Sequence, residues 1–100
     1  MHGFLGFVEL EASLVRHIQL ANGNVAAEAD DEPTFRVYGP VGQVGTDGTC
    51  SAEIDSQTGW HRLTIAATAA GGFARGTYTV RVAYEVSAAA KAQVYTFTVV

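Results

Sequence analysis

Three histidines (His2, His17, His61), one cysteine (Cys50) and an acidic run (Glu28, Asp30, Asp31, Glu32) are the side chains with chemistry to offer. A catalytic serine needs a base within hydrogen-bond reach and oxyanion donors around it. No Gly-x-Ser-x-Gly occurs. His2 falls in the N-terminal segment, and His17 and His61 fall in two stretches of strand periodicity, where solvent-side positions are the simple reading. Cys50 stands alone, which excludes an intrachain disulfide and a cysteine-rich metal site. Among alanine and valine it reads as a small buried hydrophobe, with no base placed beside it to make a reactive thiolate. Calcium takes about six to eight oxygens. Glu28, Asp30, Asp31 and Glu32, with Asp47 and Asp55 on later loops, fit no EF-hand spacing, so a solvated acidic loop is the simpler reading and calcium held between loops the alternative. Trp60, Tyr38, Tyr78 and Tyr84 suggest a sugar platform, but Tyr78 and Tyr84 share a face with Val80 and Val82, which points to core packing. Trp60 alone stays open as a surface residue. The chain is expected to be no enzyme, with no cofactor and no metal.

What must position these groups is legible in the periodicity. Tyr78, Val80, Val82, Tyr84 and Val86 alternate with Thr77, Thr79, Arg81, Ala83 and Glu85, a period of two. After Ser87-Ala88-Ala89-Ala90-Lys91, Tyr95, Phe97 and Val99 alternate with Thr96 and Thr98, so the two runs predict a β-hairpin of open turn type. Leu63, Ile65 and Ala67 share one face of a strand over Trp60 to Thr68, and Gly71-Gly72-Phe73-Ala74-Arg75-Gly76 is a loop before the hairpin. Cys50, Ala52 and Ile54 predict a strand over Thr49 to Asp55, and Phe35 and Val37 one over Thr34 to Tyr38. The stretch Gly39 to Gly48 holds a short strand around Val41 to Val44 or remains loop. Leu14, Arg16, Ile18 and Leu20 alternate with Val15, His17 and Gln19 over Ala12 to Leu20, and Asn22-Gly23 marks a tight turn. Ala26 to Ala29 is too short for a helix before Asp30-Asp31-Glu32-Pro33. About six to eight short strands with no ordinary helix predict an all-β, immunoglobulin-like antiparallel β-sandwich.

One hundred residues suit one domain, and a composition 48% hydrophobic excludes a disordered chain. A net charge of −4 with six scattered Lys and Arg argues against nucleic acid as a partner. No apolar run approaches the ~20 residues of a membrane span, so no membrane partner is expected. The N-terminus carries Phe4, Leu5, Phe7 and Val8 without a basic leader, and Glu9 and Glu11 follow at once, so the expectation is a protein that works where it is made or in an assembly built there. Residues 1–11 read as an arm or a first edge strand, and residues 12–100 as the sandwich. Phe4, Leu5, Phe7, Val8 and Trp60 are the candidate partner interface, since exposed large apolar groups mark contacts.

Three strings carry a family likeness. Glu32-Pro33-Thr34-Phe35-Arg36-Val37-Tyr38-Gly39-Pro40 is one. Gly59-Trp60-His61-Arg62-Leu63-Thr64-Ile65 followed by Ala70-Gly71-Gly72-Phe73-Ala74-Arg75-Gly76-Thr77-Tyr78-Thr79-Val80 is the second, and Tyr95-Thr96-Phe97-Thr98-Val99 the third. Together they resemble the small β-sandwich virion proteins and fibre modules of tailed bacteriophages. The resemblance covers roughly residues 12–100 and concerns strand starts and glycine loops rather than chemistry. It implies a head decoration or cement subunit bridging major capsid subunits, with a tail, neck or fibre module as the alternative, including a glycan-binding adhesion domain using Trp60. It further implies major capsid or other virion proteins as partners, a homo-oligomer on the virion, and residence in the capsid or tail after synthesis in the host cytoplasm.

Overall fold

A computed structural model describes residues 2–40 and 42–100; Met1, Val41 and the side chains of His2 and Thr46 lie outside the described residues. Strands occupy β1 (His2–Val8), β2 (Ser13–Gln19), β3 (Ala21–Asn22), β4 (Val25–Ala26), β5 (Thr34–Gly39), β6 (Gly42–Thr49), β7 (Trp60–Ala66), β8 (Gly76–Val86) and β9 (Ala89–Val99). The main sheet runs β1-β9-β8-β5-β6, and β2-β7 forms the second layer, with a minor β3-β4 hairpin. All pairs are antiparallel except β1 with β9. This is an immunoglobulin-like β-sandwich, as the alternating runs predict.

The two layers meet through residues of matching parity. Leu14 and Ile18 of β2 and Leu63 and Ile65 of β7 face Val37, Val80, Val82, Phe97 and Val99 of the main sheet, all buried. Such pleated faces, rich in Val and aromatics, are what β-strands bury best. Phe73, from the loop before β8, packs on Tyr78 and Phe97 with ring centroids 5.0 and 6.3 Å away. The Tyr78 hydroxyl donates to the Ala74 carbonyl at 3.0 Å and accepts the Ala74 N–H at 2.9 Å. That is the tyrosine corner of immunoglobulin-like sandwiches, and it pins the crossing from one layer to the other.

The β8–β9 turn departs from the usual chemistry. Ser87 and Ala88, both at positive φ (50° and 66°), make a two-residue turn without the Asn or Gly such turns favour. The Asp30 carboxylate compensates: its oxygens accept the Ser87 and Ala88 N–H groups at 3.0 and 2.8 Å.

Three local expectations change. The connection expected over Ser87 to Lys91 shortens to Ser87 and Ala88, because β9 already pairs with β8 from Ala89. The strand predicted over Thr49 to Asp55 is absent: β6 ends at Thr49, and Cys50 to Gly59 carries the chain across to the other layer. Cys50 and Ser51 each keep one backbone bond, to Pro33 and Arg62, but Asp55 and Ser56 then turn at positive φ, which no strand permits. The parity of Cys50, Ala52 and Ile54 was therefore no evidence of a strand. The glycine-rich stretch, by contrast, is a full strand over Gly42–Thr49. Its Gly48 lies beneath the Phe35 ring, where a Cβ would come within 2.2 Å of a ring carbon, so the aromatic covers the space the missing side chain leaves.

Candidate functional site

The N-terminal strand presents its aromatics outward. Strict alternation would place Phe4 and Phe7 on opposite faces, three residues apart. A register shift between them, with Gly6 at φ +105°, inserts a bulge that restores parity. Leu5 and Val8 thereby enter the core, while Phe4 and Phe7 are 56% and 63% exposed. The two rings meet edge to face at 5.2 Å. Arg16 of β2 seals the bulge, its Nε donating to the Leu5 carbonyl at 2.6 Å. This guanidinium holds β1 to the second layer, a role that nothing in the strand alternation announces.

Trp60 opens β7 opposite Gln19 of β2 and remains 36% exposed. Gly59 before it sits at φ +78° with its Cα so close to the Leu20 and Ala27 carbonyls that a Cβ would lie 2.7 and 2.8 Å from them. Between Trp60 and β1 lies a groove of about 400 Å³, lined by Phe4, Leu5, His17, Trp60 and Tyr95 among others. The structure thus brings together Phe4, Leu5 and Trp60, residues far apart in sequence. Phe7 extends the face through its contact with Phe4, and Val8 lies in the core.

His61 is not solvent-facing, as expected from sequence, but buried at 4% exposure. The reason is parity: it shares the face of Leu63 and Ile65, while Trp60, Arg62 and Thr64 point out. Its Nδ1 lies 2.8 Å from the Ser51 carbonyl, which only accepts, so Nδ1 carries a proton, and in the neutral ring Nε2 is then an acceptor. That Nε2 is buried without a partner. The neighbouring Ser51 hydroxyl instead accepts the Arg62 N–H and donates to the Ala52 carbonyl, so it is not a nucleophile paired with this imidazole. Cys50 is buried, and desolvation pushes its thiol up to about 11, away from thiolate chemistry.

The acidic residues divide by role. Asp30 caps the β8–β9 turn, and Glu53 accepts the Gly59 N–H at 3.0 Å. Asp47, expected on a loop, lies in β6 and takes Arg36 bidentately at 2.8 Å, which holds its carboxyl below the usual range. Among the described residues no three His, Cys, Asp or Glu side chains stand close enough to share a metal ion.

Sequence reasoning overlooked one buried polar device. Gln93 donates from Nε2 to the Gln19 carbonyl at 3.1 Å and to the Tyr95 hydroxyl, and its Oε1 accepts the Ala21 N–H at 3.0 Å. The Tyr84 hydroxyl donates to the Ala21 carbonyl. The signal was present: Gln93 falls in phase with Tyr95, Phe97 and Val99, a polar residue on an apolar face.

No family model matches the sequence, and no curated protein does. Among solved structures the chain is similar to the CBM51-2 and INT domains of ZmpB from Clostridium perfringens, with a TM-score of 0.55 and 18% identity. The likeness covers 96% of this chain and 18% of that one, and at this identity it shows the fold alone. No helix among the described residues is long and apolar enough to cross a membrane.

Proposed function

We propose that this domain is a non-catalytic docking module, a virion structural protein that seats its Phe4–Phe7 face on a neighbouring subunit. The observation that carries the docking role is the pair of phenylalanines held outward on an edge strand beside an apolar groove. The bulge at Gly6 is what keeps both rings outside, at the cost of a conformation that only glycine adopts readily. Burying a few hundred Å² of such surface at ~25 cal/mol per Å² yields several kcal/mol before the entropic costs of association. The virion setting rests on the sequence resemblance: a decoration or cement subunit on the major capsid protein, repeated as a homo-oligomer, or a tail, neck or fibre component. The test is binding to capsids prepared without the protein, comparing wild type with Phe4→Ser/Phe7→Ser. Saturable binding weakened by the substitutions supports the reading; absence of binding by the wild type removes the capsid role.

A second reading, glycan recognition, is favoured by Trp60, an indole partly open to solvent at one wall of the groove. Binding on a glycan array that Trp60→Ala abolishes would support it, and a silent array with tight capsid binding would exclude it.

A further inference from the structure

A second cavity, of about 550 Å³, opens beside the 28–32 segment and shares no lining residue with the aromatic groove. Its walls hold the carboxylates of Glu28, Asp31, Glu32 and Glu53 together with the His61 ring. Among the described residues Glu28, Asp31 and Glu32 make no side-chain hydrogen bond or ion pair, and Glu53 commits one oxygen, to Gly59. Arg81 and Lys91 stand in the adjoining depression that Asp31 and Glu32 also line, without pairing with them. The second observation is independent of the acidic cluster. The His61 ring lines this wall with Nδ1 spent on the Ser51 carbonyl, and its other polar atom, the buried Nε2, has no hydrogen-bond partner among the described residues. A buried polar atom without a hydrogen-bond partner is costly and rare in folded proteins.

The groups left free here are carboxylates and, in the neutral ring, the His61 Nε2 acceptor, with the Thr49 hydroxyl able to serve either way, so the complement is a cationic donor. A single metal ion fits poorly, because no three ligating groups converge. A guanidinium fits better: it is planar, spreads five N–H donors, and is hydrated weakly enough to leave water for a buried site. The methyl groups of Ala29 and Ala52 give its alkyl stem an apolar surface. A free amino acid would bring its own carboxylate against this rim, whereas a residue within a chain would not. We therefore propose that the cavity receives an arginine side chain of a partner polypeptide, with Asp31, Glu32 and Glu53 pairing the guanidinium and His61 Nε2 accepting one N–H. The proposal is independent of the aromatic face, so the Phe4→Ser/Phe7→Ser variant leaves it untouched.

The test titrates the full chain calorimetrically with blocked alanine–glycine peptides carrying one arginine, lysine or citrulline, while the His61 ring nitrogens are followed by NMR. Asp31→Asn/Glu32→Gln, at exposed positions that do not disturb the core, serves as the variant. The arginine peptide is expected to bind about tenfold tighter than the citrulline peptide, to lose about tenfold in the variant, and to shift the His61 Nε2 resonance. Equal binding of arginine and citrulline, equal binding of lysine, or an unmoved Nε2 resonance would overturn the assignment. So would zinc ion shifting Nε2 where the arginine peptide does not, since the cavity would then belong to a metal.

Discussion

At the scale of single residues, Asp30 shows how a carboxylate can substitute for turn chemistry. Ser87 and Ala88 occupy the left-handed region, where a Cβ costs roughly 1–2 kcal/mol. Two N–H bonds to one carboxylate offset that strain. Asp30→Ala is therefore expected to lower unfolding free energy by about 1–3 kcal/mol, read as a lower urea midpoint. Ala88→Gly in the wild-type background should raise it by roughly 0.5–1 kcal/mol by relieving strain. A neutral Asp30→Ala would mean that the turn holds without its cap. The same reasoning explains why Asp30 is a poor candidate for ion binding: both its oxygens already serve the turn.

At the scale of elements, β1 is the strand whose register decides the docking face. Its bulge depends on Gly6, where a Cβ would also press within 3.1 Å of the Arg16 guanidinium. Gly6→Val is expected to cost about 1–3 kcal/mol through backbone strain, and to disturb the phase between Phe4 and Phe7. Phe4→Ser/Phe7→Ser, by contrast, should change stability by less than about 0.5 kcal/mol per site, as surface substitutions do. Thermal melts of the two variants make the comparison directly. If the serine variant is the less stable of the two, the phenylalanines are structural and the docking face loses its basis.

At the scale of the whole molecule, an immunoglobulin-like sandwich lacking the disulfide between its layers relies on packing and on polar pins. The pins are the Tyr78 corner and the Gln93–Tyr84–Tyr95 network, which ties the end of β2 to β8 and β9. Cys50 sits within this frame as a neutral thiol. Its folded value is raised by burial from 9.0 to about 11. A raised acid binds its proton more tightly when folded, so this contribution is fully present below pH 9 and is lost as pH climbs from there through about 11. Native protein at pH 8 should therefore react with a thiol reagent only at the rate of opening, and promptly in urea. Fast labelling of native protein would show the site to be open.

Strand parity needs only the chain itself, because successive side chains of a strand alternate faces wherever that strand is placed. The β8–β9 hairpin, the buried faces of β2 and β7, and the all-β class were legible on that basis. The fate of His61 was legible too, since it is in phase with Leu63 and Ile65, although its chemistry suggested solvent. Other features required the third dimension. The bulge at Gly6, Arg16 upon it, and Asp30 beneath the hairpin turn all join residues distant in sequence, and no local pattern encodes which carbonyl or N–H will be nearby. The meeting of Phe4 with Trp60, and of the acidic segment with an imidazole whose Nε2 has no partner, has the same origin. Periodicity determines which way a side chain points, and only the packing of one sheet on another decides what it meets.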